Sequence, residues 1–350
     1  MTDVGVIPED WEVKSIGEVL SICNGMDYKH LNRGNYPVYG TGGLIARVDD
    51  FLFEGESVCI GRKGTIDTPI YLNEKFWTVD TLFYSINFVG VIPKFIYYIF
   101  NTIDWLSLNE ASGVPSLSKD NIKLQLIQIP NLSEQQAIAD ALTKVDNLIM
   151  SLSKVIEKKK LIKKGTMQKL LSGEVRLDGY NNIIKSVNLS DIGEIKAGGT
   201  PSTNVPSYWG GTINWLQSGA VKNRVLDIRD VEKTITYDGL ASSSAYLIKE
   251  NSVLIAITGA TCGNIAYLPF KSAANQSVVA IQVNVGFNSK YIFYMLIQNS
   301  DKIVNNRGGS AQGGVAVNIL KEIELCIHED IDEQTAIADI LTTMDNEIEA

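Results

Sequence analysis

The sequence is short of the residues that most enzymes and secreted domains depend on. It holds two histidines, His30 and His328, and neither has a companion at metal-ligand spacing. Its four cysteines, Cys23, Cys59, Cys262 and Cys326, are scattered without a pairing or metal-binding pattern. They read as ordinary buried thiols of a cytoplasmic protein. The longest apolar stretch, around Val89–Phe100, is interrupted by Pro93 and Lys94. It falls well short of the ~20 residues that a membrane-crossing helix requires. The opening Met1-Thr2-Asp3-Val4 lacks the basic and apolar regions of a signal peptide. No Gly-x-Gly-x-x-Gly loop follows a strand, and no Gly-x-x-x-x-Gly-Lys-Ser/Thr loop exists to hold nucleotide phosphates. Asn204-Val205-Pro206-Ser207-Tyr208 is only superficially similar to an Asn-Pro-Pro-aromatic methyl-transfer motif, because it lacks the adjacent prolines. The acids near Asp67 and Glu74-Lys75 do not assemble a nuclease cluster. These absences leave no catalytic residue and no metal ligand to nominate.

What is present is a globular composition, 45% hydrophobic and 20% charged over 350 residues, enough for two domains. The net charge of −9 argues against a protein that grips nucleic acid by bulk charge. The charge is uneven, however. Between Lys154 and Arg176 eight basic residues face two acids, Glu157 and Glu174, for a local charge of +6. Whole-chain charge therefore says little about any one face, and basic partner subunits could supply the rest of a field for DNA.

The chain repeats itself. Residues 132–149, LSEQQAIADALTKVDNLI, match residues 331–348, IDEQTAIADILTTMDNEI, at eleven of eighteen positions with an offset of 199. Weaker echoes run upstream in the same order: Ile16-Gly17-Glu18-Val19 with Ile192-Gly193-Glu194-Ile195, Ser57-Val58 with Ser252-Val253, Asp80–Ile86 with Asn275–Ile281, and Phe95–Phe100 with Tyr291–Leu296. The offset grows from 176 to 199, which places an insertion of some twenty residues early in the second copy, most naturally around Pro201–Arg224. Each copy is a divergent middle followed by a shared helix. That arrangement suits two different targets read on one common frame.

The shared helix should begin near Ser133, which with Gln136 fits a capping box, and Asp332 can cap the second copy. Apolar residues at Ile138, Leu142, Val145, Ile149, Leu152 and Ile156 alternate steps of four and three, a coiled-coil seam. Beyond it the seam positions become Lys159 and Lys163, and the stripe shifts to Leu161, Ile162, Met167, Leu170 and Leu171 before a stop at Gly173. A helix from about Glu134 to Ser172 is roughly 58 Å long. It reads as a spacer that pairs with the helix begun at Glu333, with its basic half facing DNA phosphates or an acidic partner; the plainer reading is a bundle helix in a single core.

Both middles read as β-rich, with runs at Ser57–Ile60, Ile70–Leu72, Leu82–Ile86, Ser252–Thr258 and Ser277–Val283. Between them stand glycine loops, Gly40-Thr41-Gly42-Gly43, Gly61-Arg62-Lys63-Gly64, Gly198-Gly199-Thr200-Pro201, Thr258-Gly259-Ala260-Thr261 and Gly308-Gly309-Ser310. Their polar neighbours are of the types that contact phosphates and base edges. The candidate DNA-contacting residues of the first copy are Tyr39, Thr41, Arg62, Lys63, Thr65, Thr78 and Asp80. Those of the second are Thr200, Ser202, Ser218, Lys222, Arg224, Thr258, Thr261, Asn275, Gln276, Arg307 and Ser310. Any one of these loops alone could be a plain turn. Arg62-Lys63, flanked by glycines, is presented to solvent or to DNA, while Asn275-Gln276 reads equally as an adenine reader or a polar strand start. Trp77, Trp209 and Trp215 read as packing residues.

These features together resemble the specificity subunits of type I restriction–modification systems. The resemblance covers nearly the whole chain. It rests on Ile7-Pro8-Glu9-Asp10-Trp11-Glu12-Val13, Tyr36-Pro37-Val38-Tyr39-Gly40, Gly61-Arg62-Lys63-Gly64 and Gly199-Thr200-Pro201-Ser202. Most specific are the helix signatures Glu134-Gln135-Gln136-Ala137-Ile138-Ala139, Lys163-Lys164-Gly165 and Met167-Gln168-Lys169-Leu170-Leu171-Ser172-Gly173. The resemblance implies an α/β (α+β) fold with two β-rich target recognition domains, residues 1–131 and 179–330. It implies that residues 132–178 and 331–350 form spacer helices in an antiparallel coiled coil, the second about thirty residues shorter than the first copy's helical ending. It further implies double-stranded DNA and two modification (methyltransferase) subunits as partners, with restriction subunits joining indirectly. Ile138, Leu142, Val145, Ile149, Leu152, Ile156, Lys163, Met167, Leu170 and Leu171 would form the spacer and partner face. S-adenosylmethionine, ATP and magnesium would belong to partner subunits only. The competing readings are a stand-alone two-domain DNA-binding regulator and a nuclease or catalytic fragment with an unrecognised motif.

Overall fold

The computed structural model describes residues 8, 10–181, 183–305 and 314–350. The chain divides into two compact units, residues 1–152 and 153–350. In chain order the first holds β1 (Glu12–Ser15), α1 (Ile16–Val19), β2 (Ser21–Asn24), β3 (Arg33–Gly40), β4 (Gly43–Val48), β5 (Phe53–Gly61), β6 (Ile70–Thr78), β7 (Leu82–Ile86), α2 (Pro93–Phe100), α3 (Lys119–Leu124), β8 (Leu126–Ile129) and the start of α4 (Leu132–Ser172). The second holds the end of α4, then β9 (Ile184–Asn188), α5 (Leu189–Ile192), β10 (Gly193–Ala197), β11 (Trp209–Leu216), β12 (Arg224–Val225), β13 (Lys233–Ile235), α6 (Tyr237–Ala241), β14 (Ser252–Ala256), β15 (Ile265–Leu268), β16 (Ala273–Ala274), β17 (Val278–Val283), α7 (Ser289–Gln298), α8 (Ser300–Val304), α9 (Val317–Lys321), β18 (Glu324–His328) and α10 (Ile331–Glu349). The mixture of sheets and helices is the α/β (α+β) class expected.

The repeat is a repeat of topology. The first unit has one six-stranded sheet in the order β2-β7-β5-β6-β3-β4. The second has the same order split in two, β10-β17-β14-β15 with β12 at its edge, and β16-β11-β13. A two-stranded ladder closes each unit, β1 with β8 and β9 with β18. Central strands covered on both faces read as unbroken apolar runs, and β14, Ser252–Ala256, is buried at every residue. The extra length of the second copy falls in three connections, residues 198–208, 217–232 and 236–251, so much of it lies beyond the Pro201–Arg224 loop where the offsets placed it.

One pair of positions shows how two divergent sequences fill the same frame. In the first unit β3 and β6 run parallel with Val38 beside Trp77. In the second, β11 and β16 run parallel with Trp215 beside Ala273. The indole has changed strands, yet Trp77 Nε1 donates to the Met26 carbonyl (2.8 Å) and Trp215 Nε1 to the Gly199 carbonyl (3.0 Å). Met26 and Gly199 are themselves equivalent, their amides donating to Thr78 and Ala274. Trp77 and Trp215 are core residues as expected, whereas Trp209 is half-buried and packs edge-on against Trp215 at 5.0 Å.

Both long helices are anchored by a buried glutamine. The Gln135 amide accepts from Ile92 N–H (2.9 Å) and donates to the Pro130 and Gly90 carbonyls (2.9 and 3.1 Å). Gln334 accepts from Asn288 N–H (2.9 Å) and donates to the His328 carbonyl (2.8 Å). The next turns repeat as well: Tyr98 donates to Asp146 as Tyr294 does to Asp345, at 2.7 and 2.8 Å. The helix caps lie two residues before the positions that the sequence suggested. Asn131, not Ser133, accepts from the Glu134 amide, and Gln136 reaches Asp140 rather than a cap. In the second copy Asp330, not Asp332, is the cap and accepts from the Asp332 amide. In both places the strand ends two residues before the cap, so the ladder decides where the helix can start.

Helix α4 is packed into a core only at its ends. Ala139 and Ile138 pack into the first unit's core with Phe95 and Ile129. Leu170 and Leu171 are buried in the second unit's core and Met167 packs against it, so these three are not available to a partner as expected. Between them Leu142, Val145, Ile149, Leu152 and Ile156 are all exposed. Within the second unit α10 runs antiparallel to the end of α4: Glu347 pairs with Lys159 (2.9 Å), Asp345 with Lys163, and Glu333 with Arg176 (2.7 Å). The cysteines differ from expectation. Cys59 and Cys262 are buried, but Cys23 is half-buried and Cys326 exposed, because alternation along β18 puts Cys326 on its solvent face.

At the foot of α10, Glu333 is fully buried and held by a two-bond fork from Arg176. His328, also fully buried, shares a 2.8 Å hydrogen bond with the Tyr291 hydroxyl and lies 3.9 Å from Glu333. Burial pushes the His328 pKa down, only partly offset by Glu333.

Two outcomes are expected. Gln135→Leu and Gln334→Leu should each lower stability by about 2–4 kcal/mol in urea denaturation, since each strands buried backbone groups. Because the folded chain binds the His328 proton less readily than the unfolded chain, stability should hold above the ordinary histidine pKa and fall as the pH drops below it. The slope from this one group is at most about 1.4 kcal/mol per pH unit. His328→Gln should flatten that fall between pH 7 and 5, read from urea midpoints.

Candidate nucleic-acid interface

In the first unit the strand order brings three separate loops to one end of the sheet. Gly61 ends β5 with its Cα so close to the Thr65 carbonyl that a Cβ would lie 1.9 Å from it. This tight turn throws Arg62, Lys63 and Thr65 into solvent, all three exposed. The Arg62 and Lys63 amides both donate to the Thr81 carbonyl, at 2.8 and 3.3 Å, and the Arg62 carbonyl accepts from the Leu117 amide at 2.9 Å. The backbone of the loop is thereby fixed from both sides while its cationic side chains stay outside. The Arg62 guanidinium reaches the Asp80 carbonyl at 3.4 Å and lies 6.0 Å from the Phe83 ring centroid.

These residues line an open cleft of about 640 Å³ with Asn24, Asp80, Thr81, Ser116 and Lys119. Lys119 sits at the start of α3, its ammonium 5.8 Å from the same Phe83 ring. Among the described residues none of Arg62, Lys63 or Lys119 has an ion-pair partner, so three cations share one concave surface with only two acids, Asp80 and Glu110. Glu110 is occupied by Ser118 and Asn121. The sequence did not point to Lys119 or Asn24, since they reach the cleft only through the fold. The sole cue was Ser118, a helix cap that presents the residue after it.

The other first-copy candidates divide. Thr41 is half-buried in the β3–β4 turn beside the Gly64 backbone, 3.5 Å from where a Cβ would stand. Tyr39 is half-buried, donates to Glu74 at 2.7 Å, and has its pKa pushed up to about 12 by burial and then by Glu74. Thr78 is fully buried at the end of β6 and is not presented to any ligand. It falls on the inward side of the strand, which its position one turn from the loop did not reveal.

In the second unit the equivalent loop is chemically different. Ile257, whose amide donates to the Ser277 carbonyl as Arg62 does to Thr81, is buried, and Thr258 follows where the first unit has Lys63. Three cations lie instead on the 217–232 connection that replaces the short β3–β4 turn. Lys222 is exposed there, and Ser218 half-buried. Arg224 is paired with Asp230, and Arg229 with Asp227, whose carboxyl Arg229 holds down to about 2. The fold joins Thr200 to Gln276 by a hydroxyl-to-amide hydrogen bond across 76 residues, as one polar surface patch. Asn275 instead turns inward to cap the β17 start, its side chain accepting from Ser277. Ser202 gives its carbonyl to Trp209, and Thr258 and Thr261 flank a short turn at Gly259. Arg307 and Ser310 lie outside the described residues.

A family profile described as Type I restriction modification DNA specificity domain matches residues 8–163 and again 183–350. The chain belongs to this type I specificity family. The two matched stretches are the two copies of the repeat, so each unit carries one family domain. Over 401 aligned positions the chain is 24% identical to the putative MjaX type I specificity subunit of Methanocaldococcus jannaschii, covering 99% of this chain and 90% of that one. It is 29% identical to the MjaIX specificity subunit of the same organism across 46% of this chain and 38% of the relative. With the EcoR124I/EcoR124II specificity subunit of Escherichia coli it shares 25% identity across 72% of this chain and 63% of the relative. The fold is similar to that of a type I restriction–modification S subunit from M. genitalium, with a TM-score of 0.71 at 16% identity, covering 100% of this chain and 93% of the other. Among the described residues no helix is long and apolar enough to cross a membrane.

Proposed function

We propose that this chain is the DNA-reading specificity subunit of a type I restriction–modification complex, each of its units reading one half of a split double-stranded site. The observation that carries the reading is the pairing of like frames with unlike surfaces. Both units repeat the same strand order and the same glutamine-anchored helix, yet at equivalent loops one presents Arg62-Lys63 while the other buries Ile257 and follows it with Thr258. Two readers of different half-sites require this: a shared scaffold and divergent tips. Phosphate contacts from unpaired cations would set position, and polar groups such as Gln276 and Thr200 would read base edges.

The chain itself supplies recognition and no chemistry; S-adenosylmethionine, ATP and magnesium would be held by partner subunits. The exposed residues Leu142, Val145, Ile149 and Leu152 favour a subunit over a stand-alone regulator, because an apolar stripe of this kind marks an interaction face. We assign that face to modification subunits, two in the full complex, with restriction subunits attached through them. The cytoplasm, where such a complex meets DNA, is the expected compartment.

Two measurements test this. Purified with its neighbouring modification subunit and S-adenosylmethionine, the chain should direct methylation to a motif of two short specific parts around a fixed gap. Exchanging residues 1–131 for those of a relative should change one part only; a motif without a gap, or one unchanged by the exchange, refutes the reading. In the same complex Arg62→Ala, Lys63→Ala and Lys119→Ala should weaken binding without altering the motif. Each should flatten the slope of log K against log salt by about 0.9.

A further inference from the structure

The β3–β4 hairpin of the first unit ends in residues that no role yet explains. Its ladder runs to Gly40 opposite Gly43, so Thr41 and Gly42 form the tip, and Gly43 takes a left-handed φ of +102°. Leu44 and Ile45 follow, 53% and 51% exposed. A β-bulge falls here: Val38 pairs with Ala46 and Tyr39 with Leu44, so Ile45 is the extra residue and both aliphatic side chains are left largely in solvent. A solvated hairpin tip normally carries polar residues, and two large aliphatic ones there forfeit the free energy of burial.

The tip stands beside the basic cleft. Thr41 lies against Gly64, the residue after Lys63, and Ile45 lies with Val79 against Gly40. Val79 precedes Asp80, whose carbonyl the Arg62 guanidinium reaches. Met26, also exposed, hangs from the neighbouring strand end, its amide bonded to the Thr78 carbonyl. Aliphatic groups at the tip and unpaired cations behind it match the cross-section of a DNA major groove, where base edges lie at the floor and phosphates at the rims. That groove admits a two-stranded β-ribbon, and its one apolar feature is the C5 methyl of thymine. In the second unit β11 and β13 are joined instead by the long connection 217–232, which carries Lys222, Arg224 and Arg229 with one exposed aliphatic side chain, Ile228.

We propose that the β3–β4 hairpin enters the major groove of the half-site read by the first unit and that Leu44 and Ile45 recognise thymine methyl groups there. This rests on the specificity-subunit reading above, and the experiment separates the two. Methylome sequencing of the complex first gives the motif, and the exchange of residues 1–131 assigns one part of it to the first unit; a failure at this step refutes the function. Duplexes are then made with deoxyuridine in place of each thymine of that half-site in turn, which removes only the methyl group. The complex should bind at least one of them about three- to five-fold more weakly. Leu44→Ala with Ile45→Ala should abolish that difference, while uridine substitutions in the other half-site affect both proteins alike. The proposal fails if that half-site contains no A·T pair or if no uridine substitution costs affinity. It fails equally if the double variant keeps the full methyl dependence, which would leave the hairpin tip as a contact for another protein surface.

Discussion

A buried primary amide at the foot of each long helix ties the molecule together. Gln135 and Gln334 each join three pieces of backbone: the helix itself, the end of the strand that leads straight into it, and the segment before the α2 or α7 helix, more than forty residues upstream. An amide carries both a donor and an acceptor on one rigid plane, so it can close such a junction with no charge to desolvate. No apolar residue of that size could do so, because the backbone groups it faces would be left without partners. This explains why the repeat is strongest at Glu-Gln and fades upstream. The junction is the part of the frame that tolerates least variation, and the tips at the far end of the sheets tolerate most.

How far the sequence could be read followed from the range of the forces involved. The strands, the helix span and the duplication were legible, because hydrophobic periodicity and residue identity are local or additive signals. The helix caps were displaced by two residues, since Asn131 and Asp330 win over Ser133 and Asp332 only where a strand ladder has fixed the backbone. Thr78 carried the right chemistry on the wrong face of β6. Lys119 lies fifty-odd residues from the Arg62 loop, and only the α3 packing brings it to the same cleft. The apolar seam on α4 was visible, but not that its far end, Leu170 and Leu171, would be consumed by the second unit's own core. Periodicity reports that a face is apolar and is silent on what covers it.

Charge follows the same division of labour. The chain is acidic overall, and several of its described cations are spent on structure. Arg176, Lys159 and Lys163 tie α10 to α4, and Arg224 and Arg229 stiffen a long connection. Arg62, Lys63 and Lys119 stand apart from that pattern on one concave surface. If that cleft meets DNA as proposed, its modest net charge leaves discrimination to base contacts rather than to attraction common to all sequences.

The exchange of the indole between β6 in one unit and β11 in the other limits how such domains can be reshuffled. Val38 with Trp77 and Trp215 with Ala273 are complementary pairs, each filling one slot with one large and one small side chain. A hybrid spliced between these two strands would inherit either two indoles or none. The first would overfill the slot and the second would leave a hole about the size of an indole, each costing on the order of several kcal/mol. Genetic crossovers inside a recognition unit are therefore penalised by packing alone, whereas those within the shared helices keep every pair intact. New specificities in such a chain should arise by trading whole units, with the helices as the points of exchange.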